Sequence, residues 1–278
     1  GLVGSEMCIR DSPTGSIMTR TDLTNLANSL NGRETLLILD EAYADYVEDP
    51  ARFKRSYAAK EDRSWESNAV EFNKVVETVA ATDPRVAAHL ALLLAFGLRR
   101  KEAVIFRPHV AVVPQESGPT SQHASDRYAA FLRVQRGTKG GRLRFVAIRN
   151  DDQRSALDLA LQFALHPSSH LGHPGLSLKQ SLKRFDNVMQ KAGITKRQLG
   201  VTAHGLRHQF AHEFHVELTN VQAPVRGGDV CADAEVLKAA LLEIARQLGH
   251  DRPTITNAYL GSQVRKWQSV PSSGTEQE

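Results

Sequence analysis

His204 and Arg207 stand three residues apart in Thr202-Ala203-His204-Gly205-Leu206-Arg207-His208-Gln209-Phe210-Ala211-His212-Glu213-Phe214. Leu206, Phe210 and Phe214 recur at i, i+4 and i+8, the period of a helix with one apolar face. On such a helix His204 and Arg207 are neighbours beside the apolar stripe. A guanidinium offers a phosphate a planar fork of donors, and an imidazole moves protons near neutral pH. The pair therefore suits binding and protonation of a phosphate ester. His-x-x-Arg is also common on solvated helix faces, so its weight depends on four other segments.

The first is Gly97-Leu98-Arg99-Arg100-Lys101-Glu102. It follows the apolar run Val86, Leu90, Leu93, Leu94, which the surrounding residues mark as a core helix opened by Asp83-Pro84 and ended by Gly97. A glycine turn at the end of a buried helix gives Arg99 a rigid support, as a catalytic side chain requires. A basic helix start is the alternative at this point. The second segment is Arg136-Gly137-Thr138-Lys139-Gly140-Gly141, a glycine-rich hairpin turn between strands expected over 128–135 and 142–148. In the latter, Leu143/Phe145/Ala147 alternates with Arg142/Arg144/Val146. Lys139 sits at the tip, free to swing towards a ligand, although most tip lysines only solubilise. A further short strand is expected at 110–113, with an irregular Pro/Ser/Gly-rich stretch over 114–126. Leu248-Gly249-His250 ends an amphipathic helix over 234–248, and a restarted helix from Asp251-Arg252-Pro253 carries Thr256 and Tyr259.

Other elements supply the frame. Helices are expected over 21–30, 34–47, 67–81, 151–165 (capped by Asp151) and 177–192, with Gly193 stopping the last. Residues 52–63 read equally as a linker or as a surface loop inside one domain, and 218–231 as an inserted Pro/Gly loop. The loop 166–174 holds three histidines, but two prolines and the lack of a nearby cysteine or acid make it a loop before a metal site. Residues 1–12 are read as a non-native leader and set aside. Past residue 261, Val264, Trp267 and Val270 form a small apolar set in a polar tail.

With 278 residues, 41% apolar and 24% charged, the chain has an ordinary globular composition. Its apolar runs are too short to span a bilayer, so no membrane partner is expected. Two cysteines, Cys8 and Cys231, make neither a disulfide framework nor a metal quartet, which fits a reducing cytoplasm. The net charge of +4 hides a strong asymmetry. Residues 22–50 carry seven acids against one base, 99–150 eleven bases against three acids, and 179–207 seven bases against one acid. A basic middle suits a polyanion such as DNA, or is simply a solvated surface.

Gly97-Leu98-Arg99-x-x-Glu102, Thr138-Lys139-Gly140-Gly141, His204-x-Leu206-Arg207-His208, Leu248-Gly249-His250 and Tyr259, nine residues after His250, occur in this order. Together they resemble the catalytic domain of the tyrosine recombinases, the phage-integrase family, over about residues 65–261. The spacings 99–139 and 207–250 are longer than the compact family pattern. Residues 13–64 are shorter than the helical domain that usually precedes the catalytic one, and are read as a helical remnant and linker.

The resemblance implies a mainly α (α+β) fold, a helical catalytic domain with a small antiparallel three-stranded sheet. It implies that Tyr259 attacks phosphorus in double-stranded DNA, giving a 3′-phosphotyrosyl intermediate and a free 5′-hydroxyl without cofactor or metal. Arg99 and Arg207 would clamp the phosphate oxygens. His204 would take or relay a proton, His250 would hold a phosphate oxygen, and Lys139 would be the general acid. The expected assembly is a homotetramer on DNA. The alternatives are a truncated DNA-binding remnant without strand exchange, a type IB topoisomerase-like relaxing enzyme, and a metalloprotein using His204, His208, His212 and His215.

Overall fold

The computed structural model describes residues 25, 28, 29, 58–119, 128–228, 233–250 and 252–262. The chain divides into two compact units, residues 1–56 and 57–278. In the first, Asn25, Asn28 and Ser29 are helical and exposed, within the helix expected over 21–30. The helix expected over 34–47, Cys8, Cys231, the residues Val264, Trp267 and Val270, and most of the 114–126 excursion lie outside the described residues.

The second unit is mainly helical. Its elements are α1 (Phe72–Thr82), α2 (Pro84–Phe96), α3 (Arg100–Val104), α4 (Pro108–Ala111), β1 (Val112–Pro114), β2 (Ala130–Val134), β3 (Arg144–Ala147), α5 (Asp151–Leu161), α6 (Leu178–Lys191), α7 (Ala203–Thr219), α8 (Ala234–Leu248) and α9 (Asn257–Leu260). The three strands form one antiparallel sheet in the order β1-β2-β3. This is the helical fold with a small three-stranded sheet that the resemblance implied. Among the described residues no helix is long and apolar enough to cross a membrane.

Two helices make the centre. Asp83 caps α2 by accepting the Val86 amide, with Pro84 in the first turn, where its missing N–H costs nothing. The helix is buried on nearly all sides, from Val86 to Phe96. Against it packs α7, which is not simply amphipathic. Arg207, His208, His212 and His215 are buried along with Leu206, Phe210 and Phe214, so the polar flank of the stripe also faces the interior. Such burial favours partners for the polar atoms, and those of Arg207 form the site.

The sheet has a core on each face. Leu132 and Val146, opposite each other in the register, join the main core, while Phe131, paired with Ala147, packs with Tyr128 on the other side. In β3 the residue turned inward beside Val146 is Arg144, and Leu143 just before the strand is 46% exposed.

Several boundaries differ from expectation for local reasons. A 3-10 turn over Glu66–Asn68 and a left-handed Ala69 precede α1, so that helix starts at Phe72. Asn150, not Asp151, caps α5 through the Gln153 amide. The same helix stops at Leu161, four residues before the expected end. The α7 helix runs on to Thr219 before Asn220 turns left-handed, so the loop after it is shorter than the sequence suggested. Residues 58–63, the end of the stretch read as linker or loop, and Ser64 and Trp65 after them pack into this unit. The Trp65 ring is fully buried, and its indole N–H donates to the Thr202 carbonyl at 2.8 Å.

Candidate active site

Gly97 ends α2 at φ 55°, and a Cβ there would lie 2.6 Å from Phe210 Cδ1. Only glycine meets both the left-handed turn and the close approach of α7. The turn delivers Arg99 to the N-cap of α3, where Glu102 reaches back. Glu102 accepts the Arg99 amide at 2.7 Å and Arg99 Nη1 at 2.8 Å. Its Oε2 also accepts Arg144 Nη2 at 2.6 Å, and its side chain is fully buried. Burial alone would raise the Glu102 pKa, but Arg144, the Arg99 amide, Arg207 and Arg99 together bring it below the ordinary carboxyl value.

Arg144 is the hidden member of this group. Its Nη1 donates to the Gln247 carbonyl at 2.9 Å, tying β3 to the end of α8. Desolvation, then Arg207 and Arg99, lower its pKa to about 9 against the pull of Glu102, so it remains cationic at neutral pH. Gly249 ends α8 at φ 70°, and a Cβ there would stand 2.7 Å from Arg144 Cδ. The glycine of Leu248-Gly249-His250 thus makes the turn and leaves room for the arginine, directing His250 into the cluster.

Arg207 lies at the centre and is completely buried. Its Nε donates to the Tyr259 hydroxyl at 3.1 Å, and its terminal nitrogens donate to the carbonyls of Gly97 and Leu248 in short contacts. His250 Nε2 lies 3.5 Å from Nη2. One side chain therefore joins the turn bearing Arg99, the turn bearing His250 and the helix bearing Tyr259. The Tyr259 ring is stacked on His250, with centroids 5.4 Å apart, and lies 6.0 Å from His204 and 4.7 Å from His208.

Burial and the arginines keep the histidines neutral. Desolvation and then Arg207, Arg99 and Arg63 bring the exposed His204 to a pKa of about 4. Desolvation, then Arg207, Arg99 and Arg144, bring His250 to about 3. Desolvation followed by His204 and His212 brings His208 to about 3. The site is an anion cradle with uncharged proton acceptors along its rim. Beside His204 opens a groove of about 490 Å³ whose lining includes Arg100, Phe185, Met189, Ile194 and Lys196.

The structure thus brings together Arg99, His204, Arg207, His250 and Tyr259 with Glu102. Lys139 stands apart. It is exposed on the 3-10 turn Lys139–Gly141 between β2 and β3, and among the described residues no hydrogen bond, ion pair or ring contact joins it to the cluster. Arg144, His208 and His212 received no individual site role from sequence. The inward alternation of Arg144 and the i, i+4 repeat of His204, His208 and His212 were the available signals. Among the described residues no group of three or more His, Cys, Asp or Glu side chains is arranged to hold a metal ion. His212 instead donates or accepts within the protein, and His173 of the histidine-bearing loop faces Asp83 at 3.1 Å.

A family model described as integrase matches residues 58–213, more than half of the chain. A second, for class I and II aminotransferases, matches residues 8–80. The LL-diaminopimelate aminotransferase of Chlamydia pneumoniae is 32% identical over 81 residues, covering 29% of this chain and 20% of that protein. The chain therefore spans about a fifth of that relative's length. Among solved structures, XerA recombinase aligns with a TM-score of 0.41 and 20% identity, over 71% of this chain and 60% of that one. XerH site-specific recombinase, in a post-cleavage complex with its palindromic difH substrate, aligns with a TM-score of 0.40 and 16% identity, over 71% of this chain and 49% of its own. With the integrase match spanning the segments that build this cluster, from Gly97 through Arg207, the chain belongs to the integrase family, the tyrosine recombinases.

Proposed function

We propose that this chain is a site-specific DNA recombinase that breaks and rejoins double-stranded DNA through Tyr259. The observation that carries the reading is the 3.1 Å hydrogen bond from Arg207 Nε to the Tyr259 hydroxyl inside a buried cationic cluster. That hydroxyl occupies a position where a phosphate oxygen would find the same donor. As DNA enters, a non-bridging oxygen takes over the Arg207 N–H while the ring swings to place Oη in line with phosphorus. Arg99, the more exposed of the two arginines, grips the second oxygen.

In the step proposed, the Tyr259 Oη–P bond forms and the P–O5′ bond breaks, leaving a 3′-phosphotyrosyl link and a 5′-hydroxyl. The phenol proton passes to His204, which is neutral and becomes a stronger base once a phosphate anion offsets the arginines that depress its pKa. His250 holds a phosphate oxygen by hydrogen bond. Lys139 protonates the departing 5′-oxygen after its hairpin closes over the DNA. The phosphotyrosyl bond retains the energy of the phosphodiester, so rejoining by an incoming 5′-hydroxyl needs no cofactor. Exchange between two duplexes uses four such steps, hence the proposed homotetramer.

Exposed Lys101, Arg133, Arg136, Lys179, Lys183, Lys196 and Arg197 supply the charge for the duplex. The reading is tested by incubating the protein with nicked duplex DNA and examining the ends. A denaturation-resistant adduct on the 3′ end, with a 5′-hydroxyl that accepts a kinase label, is expected. An adduct of opposite polarity would overturn the assignment, and salt-dependent binding without any adduct would favour a DNA-binding remnant.

A further inference from the structure

A helix of four residues cannot hold itself in place, since nucleation is unfavourable and its last carbonyls have no donor within it. Yet α9 carries Tyr259. Two of its carbonyls are met from outside by distant parts of the chain. The Ala59 amide donates to the Asn257 carbonyl at 2.8 Å, and His212 Nε2 lies 2.8 Å from the Tyr259 carbonyl.

A carbonyl only accepts, so this contact fixes the proton of His212 on Nε2. The other ring nitrogen, Nδ1, is buried and faces Asp62 Oδ1 at 3.4 Å. Asp62 is itself anchored by Arg226 Nε at 2.7 Å and accepts the Ser64 amide at 2.8 Å. The ring is thereby held through Nε2 by the carbonyl of the tyrosine, while Nδ1, without a hydrogen-bond partner among the described residues, only lies beside the pinned carboxylate. Residues 59–64 reach the α9 backbone directly through Ala59, and Asp62 lies beside the ring that meets it a second time.

We propose that Ala59 and His212 form a bracket that fixes the backbone of Tyr259 while its side chain turns between Arg207 and the phosphate, with His212 as a positioning residue. The bracket also gives the segment that leads into this unit a direct hold on the nucleophile. Its kinetic consequence rests on the strand-transfer reading; its structural consequence does not.

The test uses the full chain and three variants. His212→Gln keeps an N–H near Nε2, His212→Leu keeps bulk without a donor, and Asp62→Asn, which leaves the Nε2 contact in place, is the control. Hydrogen exchange of the peptide covering residues 254–262, without DNA, should accelerate roughly tenfold in His212→Leu and little in His212→Gln or Asp62→Asn, while α2 and α8 stay protected. On nicked duplex at saturation, the first-order rate of adduct formation should fall about 100-fold in His212→Leu with DNA affinity unchanged, and recover largely in His212→Gln. Unchanged exchange in His212→Leu, or a His212→Gln variant no better than it, overturns the bracket. A wild-type protein that forms no adduct but shows the exchange pattern overturns the strand-transfer reading and leaves the bracket standing.

Discussion

Arg207 and Tyr259 share a hydrogen bond of 3.1 Å in which the arginine is wholly buried and the tyrosine only 7% exposed. The same guanidinium supports the carbonyls of Gly97 and Leu248, so it is at once a scaffold and an anion donor.

Arg207→Ala is accordingly expected to cost stability as well as activity. It strands two buried carbonyls at about 1–3 kcal/mol each. Arg99→Ala, at a partly exposed position whose side chain is bonded to Glu102, should melt close to wild type while losing a few kcal/mol of transition-state stabilisation. Thermal melts alongside adduct rates separate the two. Equal melting losses would mean that Arg207 is not the structural hub described.

Much of this was legible in the sequence, and the limits are physical. Gly97 and Gly249 were visible because a helix stop before an arginine or histidine has few other solutions. The hairpin around Lys139 was visible because its glycines lie between two strand-like runs. Arg144 was not, because alternation along a strand defines two faces without saying which meets the core. The count of basic residues in 99–150 and 179–207 likewise includes Arg144, Arg149 and Arg207, which face inward or pair with Glu217 rather than with solvent. Asp62 and Trp65 act on residues more than 130 positions away, beyond any local pattern. The aminotransferase likeness of residues 8–80 left no mark in composition or periodicity.

Glu102 neutralises one buried and one half-buried arginine, and Glu102→Gln tests that role. Removing one partner of a buried pair typically costs about 3–5 kcal/mol. Urea titration should show this loss, and Glu102→Gln combined with Arg144→Met should recover part of it. No recovery in the double variant would show that Arg144 is held by the Gln247 carbonyl alone.

The depressed histidines give pH a definite sign. His204, His208 and His250 have folded pKa values of about 4, 3 and 3, below the ordinary histidine value. The unfolded chain therefore binds more protons between about pH 6.5 and 3, and stability falls as pH drops through that window. Above it these three contribute no slope. Bound phosphate reverses the electrostatics, so DNA binding near pH 6 should take up protons, seen as a buffer-dependent enthalpy in calorimetry. Proton release on binding would contradict the neutral assignment.

Lys139 is separate from the cluster in the free protein, so its role is best isolated chemically. In Lys139→Ala, a substrate with sulfur at the bridging 5′ position should be cleaved near the wild-type rate. A thiolate of ordinary pKa about 8.5 needs no proton to leave. The same substrate should not rescue Arg99→Ala or Arg207→Ala. Rescue of His204→Ala alone would move the general-acid role from the hairpin to α7.

The most direct test of the whole account is the chemical identity of the protein–DNA bond. Wild-type protein incubated with nicked duplex, denatured and digested, should yield a peptide spanning residues 253–262 with a nucleotide on Tyr259. Tyr259→Phe, which keeps the ring stacked on His250, should bind the same DNA with the same affinity and yield no adduct. An adduct that persists in Tyr259→Phe, or one mapped to another side chain, would contradict the claim that this tyrosine is the nucleophile.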